Sequence, residues 1–464
     1  MSFPIDVVVM AAGKGTRMKS RVPKVLHRLA GRPLLAHVLS TVDAIDARSV
    51  AVITGNGADE VEAAVATWPV KSRVSFVRQE PQLGTGHALQ AAAPRLADDG
   101  IALIVNGDVP LVAASTLREL VTASGGERLA LLSLEMADPT GYGRILREGD
   151  AVVGIVEHKD ASARQRAIRE VYTGFMAVPM KRLKPWLARL KNDNAQGEYY
   201  LTDVVALAVH DGAPVVAVKA PNQTEVDGVN SPIQLAALER AHQRREAERL
   251  MEAGVRIADP ARFDLRGTLE CGQDVEVDVN CIFEGRVTLG DGVRIGANGV
   301  IANATIAAGA VIHPFTHIDG EKAGVTVGEG ALVGPFARLR PGAQLGAQVH
   351  IGNFVEVKNA TLAKGAKANH LAYLGDASVG ERVNYGAGSI TANYDGANKH
   401  QTIIGADVHV GSNCVLVAPV KIGDGGKVGA GSVITKDTPA GALSITRGKQ
   451  DASANWQRPK KGAK

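Results

Sequence analysis

Residues 327–357 read VGEGALVGPFARLRPGAQLGAQVHIGNFVEV, and an aliphatic residue returns at every sixth position of this stretch. The in-phase residues are Val327, Val333, Leu339, Leu345, Ile351 and Val357. Such a period fits neither an α-helix, which has about 3.6 residues per turn, nor the simple alternation of a half-buried strand. It fits a coil with straight sides of about six residues, each of which points one aliphatic side chain inward. Stacked coils of this kind bury one continuous, narrow core.

The same period returns later in the chain. Its in-phase residues are Ile404, Val410, Leu416, Ile422, Val428 and Ile434, and a weaker run passes through Val300, Ile306, Ile312 and Ile318. The pattern resembles the left-handed parallel β-helix of hexapeptide-repeat acyltransferases, a fold that we therefore expect for residues 254–464. The register breaks between about 358 and 403, where we expect a protruding loop, because functional residues favour such loops.

Residues 5–220 have a different character, in which short apolar runs alternate with helical patterns. The runs that predict strands are Ile5–Met10, Val50–Thr54, Val74–Val77, Ile101–Val105 and Leu129–Leu134, and helices are predicted at Leu34–Val42 and Ala58–Ala66. Buried strands separated by helices predict an α/β domain, Rossmann-like, with a mostly parallel sheet covered on both faces. Ser231-Pro232 is typical of a helix start. We therefore expect a first domain at 1–230, a connector helix at 231–253 and the β-helix after it.

The composition argues against several classes of partner and site. The chain has 464 residues, and its 52 basic and 48 acidic groups leave a net charge of only +4, which argues against a nucleic-acid partner. Its three cysteines have no CxxC spacing, so a zinc site or a disulfide framework is not expected and a reducing cytosol fits. No signal peptide or membrane-spanning run is present, and we expect a cytoplasmic protein without a membrane partner.

The predicted first strand runs into AAGKGTRM at 11–18, followed by Pro23-Lys24. Small residues let backbone N–H groups approach an anion, and Arg17 and Lys24 add positive charge. The loop lacks the Gly-Lys-Ser/Thr of a Walker A motif, and Met18 stands where a dinucleotide fingerprint has its third glycine. The segment resembles the signature of sugar-phosphate nucleotidyltransferases. This resemblance implies transfer of a nucleotidyl group to a sugar phosphate, with Arg17 and Lys24 as catalytic residues.

The same resemblance implies a UTP and UDP-N-acetylglucosamine site. Its residues would be Ala11, Ala12, Gly13, Lys24, Gln79, Gly84, Thr85, Asn106, Gly107, Asp108, Gly143, Glu157, Tyr172 and Asn230. Asp108 and Asn230 would hold Mg²⁺, which prefers hard oxygen ligands. Tyr172, before Thr173-Gly174, departs from the family, which has Asn at this position. The implied reaction is attack by the sugar phosphate on the α-phosphorus of UTP, with release of pyrophosphate.

A second set of residues lies in the repeat region. The segment NHLAYLGD at 369–376 resembles the catalytic segment of glucosamine-1-phosphate N-acetyltransferases. This resemblance implies that His370 is the general base, which acyl transfer to an amine requires, and that Glu356 orients it. It further implies that Arg340, Lys358, Tyr373 and Asn384 bind the acceptor sugar phosphate.

Acetyl-CoA contacts are implied in the same way. They fall on Ala387, Asn393, Tyr394, Ser412, Ala430 and Arg447. In the family this cofactor lies between subunits of a trimer, so a homotrimer is expected. The donor that stabilises the tetrahedral oxyanion stays open from sequence, with the Asn393 amide as one candidate.

Together the two resemblances imply a bifunctional enzyme. It would acetylate glucosamine-1-phosphate and then couple N-acetylglucosamine-1-phosphate to UTP, supplying precursors of bacterial peptidoglycan and lipopolysaccharide. The main alternative is a monofunctional sugar-phosphate nucleotidyltransferase with a structural or regulatory β-helix. A non-catalytic trimeric scaffold that binds a UDP-sugar is a second alternative. The set of His370, Arg340, Lys358 and Tyr373 argues against the first, because a purely structural coil does not need it.

Overall fold

A computed structural model describes residues 3–458 of the chain. They form two compact units, one ending at His242 and the other beginning at Gln243. In the described range, none of the helices combines the length and the apolar character needed to cross a bilayer. The three cysteines are free thiols.

The first unit is built on a sheet covered on both faces. In spatial order its strands are Val215–Lys219, Leu129–Glu135, Glu170–Pro179, Ile101–Asn106, Ile5–Met10, Ser49–Thr54 and Val74–Arg78. Neighbours are parallel except on either side of Glu170–Pro179, which also pairs with a hairpin of Gly143–Glu148 and Ala151–Val156. Successive residues alternate between two buried clusters, Val8 in one and Val7 and Val9 in the other. The mostly parallel sheet is confirmed, and each predicted strand ends within one residue of its prediction.

Helices follow most strands of this sheet. They are Leu34–Asp43, Ala58–Val65, Thr85–Ala92, Ala114–Ser124, Ala163–Arg166, Met180–Leu187 and Asp203–His210, with short 3₁₀ turns at Thr16–Met18, Lys24–Leu26, Ala93–Arg95 and Gln223–Glu225. The two minor strands Arg28–Leu29 and Arg32–Pro33 form a separate antiparallel pair.

A helix at Pro232–Glu252 crosses the division between the units, where the sequence predicted a connector. Its Leu238 belongs to a buried cluster of the first unit, and its Leu250 belongs to the core of the second. Gly254 follows with a φ of 99°, and its N–H donates to the carbonyl of Met251. The domain limits at 230 and 253 stay a prediction, since the division into compact units falls inside this helix.

The second unit is a parallel β-helix with three sides. One side contains Arg256–Ile257, Glu276–Val277, Arg294–Ile295, Val311–Ile312, Leu332–Val333, His350–Asn353, Lys367–His370, Asn384–Tyr385, His409–Val410, Lys427–Val428 and Leu443–Ser444. The other two sides begin with three long strands, each of which bends at a corner and contributes residues to both sides. They are Phe263–Cys271, Cys281–Leu289 and Val300–Ile306.

The second side continues with His317–Asp319, Arg338–Leu339, Glu356–Lys358, Tyr373–Gly375, Ile390–Ala392, Val415–Val417 and Val433–Ile434. The third contains Val325–Val327, Gln344–Leu345, Thr361–Leu362, Ala377–Val379, Thr402–Ile404 and Val420–Ile422. A 3₁₀ turn at Pro260–Arg262 precedes the first coil.

The six-residue period is confirmed as the inward period of the β-helix. All twelve aliphatic residues of the two strong runs are at most 4% exposed. The weaker run is wrong at Val300, which is half-buried, because Ile301 takes the inward position there. Glycine follows inward residues because successive coils come close: a Cβ on Gly352 would lie 2.0 Å from the carbonyl oxygen of Asn369.

The register break has a different origin from the one predicted. Coils continue through 361–392, and the protruding loop is limited to 393–401. Leu332 pairs with His350, 18 residues on, but His350 pairs with Lys367, 17 residues on, and Asn384 with His409, 25 residues on. The phase therefore changes because some coils are one residue short and one coil carries the loop. The predicted protruding loop is confirmed at 393–401, and it takes up only part of the break.

Candidate active sites

A cleft of about 440 Å³ lies in the first unit at the carboxyl ends of Ile5–Met10 and Ile101–Asn106. These strands are parallel neighbours, so the loops that follow them meet at one edge of the sheet, where ligands of open α/β sheets bind. The predicted nucleotide-site residues that line it are Ala11, Ala12, Gly13, Lys24, Gln79, Gly84, Thr85, Asn106 and Asp108. Lys14, Gln82 and Glu198 also line the cleft and were not assigned from the sequence.

Two side-chain amides hold the walls of this cleft together. Gln79 donates through Nε2 to the carbonyl of Gly84 at 2.8 Å, and Gln82 donates to the carbonyl of Ala12 at 2.8 Å. Gly84 has a φ of 105°, and a Cβ there would lie 2.6 Å from the carbonyl oxygen of Tyr199. The position therefore requires glycine, and the loop after Val74–Arg78 is tied to the loop after the first strand.

The predicted metal ligands converge on a single cation. The ammonium of Lys24 forms an ion pair with the carboxylate of Asp108 and donates to Oδ1 of Asn230 at 3.1 Å. Asp108 and Asn230 are 84 and 206 residues away from Lys24 along the chain. The fold thus brings together a carboxylate and an amide oxygen, facing the same positive charge.

This donor set fits Mg²⁺. Both groups are hard oxygen ligands, and Mg²⁺ is usually held by one or two protein oxygens together with substrate phosphates and water. Among residues 3–458 there is no group of three or more His, Cys, Asp or Glu side chains that could hold a metal alone. A metal here would depend on phosphate oxygens for the rest of its coordination.

The predicted sugar-binding residues lie close to one another, outside the lining of this cleft. Tyr172 pairs in register with Gly143, and Glu157 accepts a hydrogen bond from Thr202 Oγ1 at 3.0 Å. Burial raises the pKa of Glu157 against the opposing effect of that hydrogen bond. A Cβ on Gly143 would lie 2.9 Å from Cγ2 of Ile155 and 3.6 Å from the Glu157 carboxylate oxygens, so the glycine permits close packing against Ile155 beside the carboxylate.

Tyr172 is buried, and its hydroxyl has no hydrogen-bond partner among the described residues. Burial raises the pKa of this phenol, and the neighbouring Glu157 adds to the shift. Its ring belongs to one of the two buried clusters of the sheet, and a contact of Tyr172 with a sugar stays a prediction.

Arg17, Gly107 and Asn230 also lie outside the cleft lining. Arg17 is exposed within a 3₁₀ turn. Gly107 packs closely, since a Cβ there would lie 3.2 Å from the carbonyl of Met10. Its neighbour Asn106 in turn needs Gly174, where a Cβ would lie 2.1 Å from Asn106 Nδ2.

Four of the predicted acetylation residues form a column at one corner of the β-helix: His370, Ala387, Ser412 and Ala430. Asn353 pairs with His370, and extending the neighbouring registers by two residues places Ala387, Ser412 and Ala430 at the same position of successive coils. Coils of parallel strands are about 4.8 Å apart. The column is therefore a strip about 14 Å long that runs from the imidazole along small residues, with Arg447 next to Gly431 at its far end.

A second column carries positive charge. Arg340 and Lys358 occupy matching outward positions on the second side of the β-helix, two residues after the pair Arg338 and Glu356. Lys399, in the protruding loop, lies close to Lys358, and this neighbouring cation lowers the pKa of Lys358. A hydrogen bond with Glu356 raises the pKa of Arg340. Three cations thus face one another, as an anion site requires.

The role implied for Glu356 is wrong in this structure. Its carboxylate accepts from Arg340 at 2.8 Å and from Arg338 at 3.4 Å, and it is not the partner of His370. His370 Nδ1 instead lies 3.0 Å from Oδ1 of Asn353. The difference follows from the coil geometry, because Glu356 lies on the side after the corner that carries His370.

The loop residues have different environments. Asn393 is buried, and its side-chain amide donates to Asp376, which leaves the Asn393 amide without support as the oxyanion donor. Tyr394 is 63% exposed, and its hydroxyl donates to the carbonyl of Gly396 at 2.6 Å. Asp395 accepts from the N–H groups of 397 and 398 and thereby fixes the turn.

Sequence reasoning missed several of these residues for different reasons. Lys14 lies inside the segment 11–18 that identified the cleft, so position alone could have found it. Asn353 and Lys399 carry no local signal. They meet His370 and Lys358 only because of the number of residues in the intervening coils.

Two protein-family models match the chain. The MobA-like NTP transferase domain matches residues 7–169, and the bacterial transferase hexapeptide model of six repeats matches residues 324–359 and 401–436. The first match contains most of the cleft. The second covers both strong runs of the six-residue period.

Curated relatives match over almost the whole length. Bifunctional protein GlmU of Acidovorax sp. (strain JS42) is 69% identical over 99% of this chain and 99% of its own. The protein of the same name from Paracidovorax citrulli is 70% identical over 98% of both chains, and that of Aromatoleum aromaticum is 54% identical over 98% and 99%. A solved UDP-glucose pyrophosphorylase complexed with UDP-glucose covers 52% of this chain and 99% of its own, at 17% identity and a TM-score of 0.43.

Proposed function

The chain belongs to the GlmU family, and on that premise we propose where its two activities reside and which residues carry them. It is a bifunctional enzyme of UDP-N-acetylglucosamine and cell-wall precursor synthesis, with acetyltransferase and uridylyltransferase activities. The acetyl site lies on the β-helix and the uridylyl site in the sheet-edge cleft. The observation that carries this assignment is the column of His370, Ala387, Ser412 and Ala430 on successive coils.

In the acetyl site, His370 is the general base. The amine of glucosamine-1-phosphate attacks the thioester carbon of acetyl-CoA, a C–N bond forms and the C–S bond breaks. The amine proton passes to Nε2 of His370, since Nδ1 faces the Asn353 oxygen, and then to the departing thiolate. Arg340 and Lys358 bind the sugar phosphate, and Tyr373 and Asn384 bind the sugar.

The strip beyond His370 suits an elongated cofactor. Ala387, Ser412 and Ala430 have small side chains, and Arg447 supplies a cation at the far end. The pantetheine arm of acetyl-CoA would lie along the small residues, with its phosphates near Arg447. Asn393 and Tyr394 would complete this site from the loop.

In the cleft, the sugar phosphate attacks the α-phosphorus of UTP and pyrophosphate leaves. Asp108 and Asn230 would hold Mg²⁺, which supplies positive charge to the phosphates. The ammonium of Lys24 already supplies positive charge at this point. Arg17, exposed in the 3₁₀ turn at Thr16–Met18, would supply a further cation for the leaving pyrophosphate. Positioning and charge neutralisation supply most of the rate in such transfers. Glu157 and Gly143 orient the acetylated sugar.

A homotrimer built through the β-helix is supported by an exposed aromatic ladder. Phe315, Phe336 and Phe354 stack at centroid distances of 5.0 and 5.5 Å, and each remains about half exposed in the single chain. Leu371, next to His370, is 60% exposed. Large apolar groups in a contiguous strip usually mark an interface. A neighbouring copy that covers this ladder would come close to the acetyl site.

The three free thiols fit a reducing compartment, and we place the enzyme in the cytosol. The whole assignment is tested by incubating the protein with glucosamine-1-phosphate, acetyl-CoA, UTP and Mg²⁺. UDP-N-acetylglucosamine, CoA and pyrophosphate are the expected products. Omitting UTP should stop the reaction at N-acetylglucosamine-1-phosphate. Replacing Mg²⁺ with EDTA should stop it at the same compound, whereas acetylation lost with EDTA would contradict the metal assignment.

A further inference from the structure

Gly375 occupies an unusual place in the column that carries the phosphate-binding cations. It pairs with Lys358, so Arg340, Lys358 and Gly375 stand at matching outward positions of three successive coils. Inward and outward positions alternate along this side. Leu374 points inward and is fully buried in the core, so Gly375, the next residue, is at an outward position. Gly375 is nevertheless buried, which means that something on the outer surface covers it.

The covering group is the side chain of Tyr373. A Cβ built on Gly375 would lie 2.2 Å from the Tyr373 hydroxyl oxygen, 2.5 Å from Cζ and 2.7 Å from Cε1. Contacts under about 3.0 Å do not occur for a real Cβ, so any other residue at 375 must displace the ring. The ring therefore leaves its own column, which it shares with Glu356, and crosses into the cation column.

The backbone beneath the ring is held from the next coil. The buried hydroxyl of Thr391 accepts from the N–H of Gly375 at 2.8 Å and lies 3.0 Å from its carbonyl oxygen, to which it donates. Gly375 therefore cannot move away to relieve a clash with the ring.

We infer that Gly375 is a positioning residue for the acceptor phosphate site. The absence of a side chain at 375 creates the space in which the Tyr373 hydroxyl lies beside Lys358, in line with Arg340. The hydroxyl then adds a neutral donor to a site whose other groups are cations. This inference rests on the proposed acceptor site and adds to it a residue that never touches the substrate.

The test is a double-mutant cycle with four proteins: the parent, Gly375→Ala, Tyr373→Ala and the double variant. Gly375→Ala should raise the KM for glucosamine-1-phosphate by roughly 10- to 100-fold, the range for losing a hydrogen bond to a charged group. The KM for acetyl-CoA should change less than about threefold. In the Tyr373→Ala background, adding Gly375→Ala should change the KM by less than about twofold, because the displaced ring is already gone.

Controls separate this inference from the site assignment. Tyr373→Phe keeps the ring and removes the donor, so it should reproduce the effect of Gly375→Ala on sugar-phosphate KM. If Tyr373→Ala and Tyr373→Phe leave that KM unchanged, the acceptor-site assignment itself fails. If the two Tyr373 variants raise the sugar-phosphate KM but Gly375→Ala does not, only the positioning role fails. The same holds if Gly375→Ala raises that KM as much in the Tyr373→Ala background as in the parent. Circular dichroism and the KM for acetyl-CoA, whose site lies on the same β-helix, report whether each variant is folded. Should Gly375→Ala not fold, the Tyr373→Ala background supplies the relaxed site in which alanine fits.

Discussion

Nδ1 of His370 lies 3.0 Å from Oδ1 of Asn353, the residue at the matching position one coil earlier. An oxygen acceptor at this distance holds the proton on Nδ1 and leaves the lone pair on Nε2. The base is thus oriented by an amide from a neighbouring coil. This differs from the carboxylate partner that the sequence implied.

Asn353 should therefore matter for the chemical step. Asn353→Ala is expected to lower kcat for acetylation by about 10- to 100-fold, with little change in either KM, because the imidazole loses its orientation. Asn353→Asp places a carboxylate beside the ring, which favours the imidazolium form, so the acid limb of the pH–rate profile should move to higher pH. Steady-state kinetics across pH measures both. An unchanged kcat in Asn353→Ala would contradict the role.

His370→Ala tests the base directly. Acetylation should fall by roughly a hundred- to ten-thousandfold, the usual range for a positioned general base. Uridylyl transfer should persist, because the cleft belongs to the other unit. Affinity for acetyl-CoA should also remain, since that contact is assigned to other residues of the column. A variant that acetylates at the parent rate would leave His370 as a packing residue.

Asp108→Ala tests the metal site. It removes the carboxylate that faces Lys24 and leaves Asn230 as the only protein oxygen assigned to Mg²⁺. Uridylyl transfer should fall at least about a hundredfold, the scale of losing a principal electrostatic stabiliser. Acetylation should change less than about threefold. Equal loss of both activities, measured in separate assays, would point to misfolding.

The two activities should be separable. A chain shortened to end at Arg249 keeps the first unit, including Leu238 in its buried cluster, and loses the β-helix. It should form UDP-N-acetylglucosamine from N-acetylglucosamine-1-phosphate and UTP and should not acetylate. A folded product, judged by circular dichroism, without uridylyl transfer would show that the β-helix contributes to the first reaction.

Asp203 predicts a pH-dependent stability. Burial raises the pKa of Asp203 from 3.8 to about 6, and the Glu157 carboxylate adds to this shift. A raised pKa means that the folded state binds the proton of Asp203 more tightly than the unfolded state does. The contribution of Asp203 to the free energy of unfolding is therefore greatest below pH 3.8 and is lost as pH rises through about 6. Asp203→Asn should therefore raise the Tm at neutral pH and have a smaller effect near pH 4. The exposed Asp46→Asn is the matched control, because Asp46 is not among the groups that shift the pKa of Asp203. An equal effect of Asp203→Asn at both pH values would contradict the shift.

The sequence predicted the fold of both units because the relevant signals are local. A six-residue aliphatic period sets which side chains point inward, and burial of those residues below 5% confirms it. The nucleotide loop could be found because a strand, a glycine-rich turn and Lys24 follow one another directly. Asp108 and Asn230 required the resemblance, since nothing local indicates that they meet.

Tertiary structure alone decided the contacts between coils. Whether His370 meets Asn353, or Lys358 meets Lys399, depends on how many residues separate the coils, and that number varies from 17 to 25 at this end of the β-helix. The inward pattern tolerates such changes, because each side still supplies an aliphatic residue. The outward residues do not, because a shift of one residue brings a different side chain to each position. The sequence by itself therefore determined the β-helix and its core. The number of residues in each coil, visible only in the tertiary structure, determined which outward side chains meet in the site.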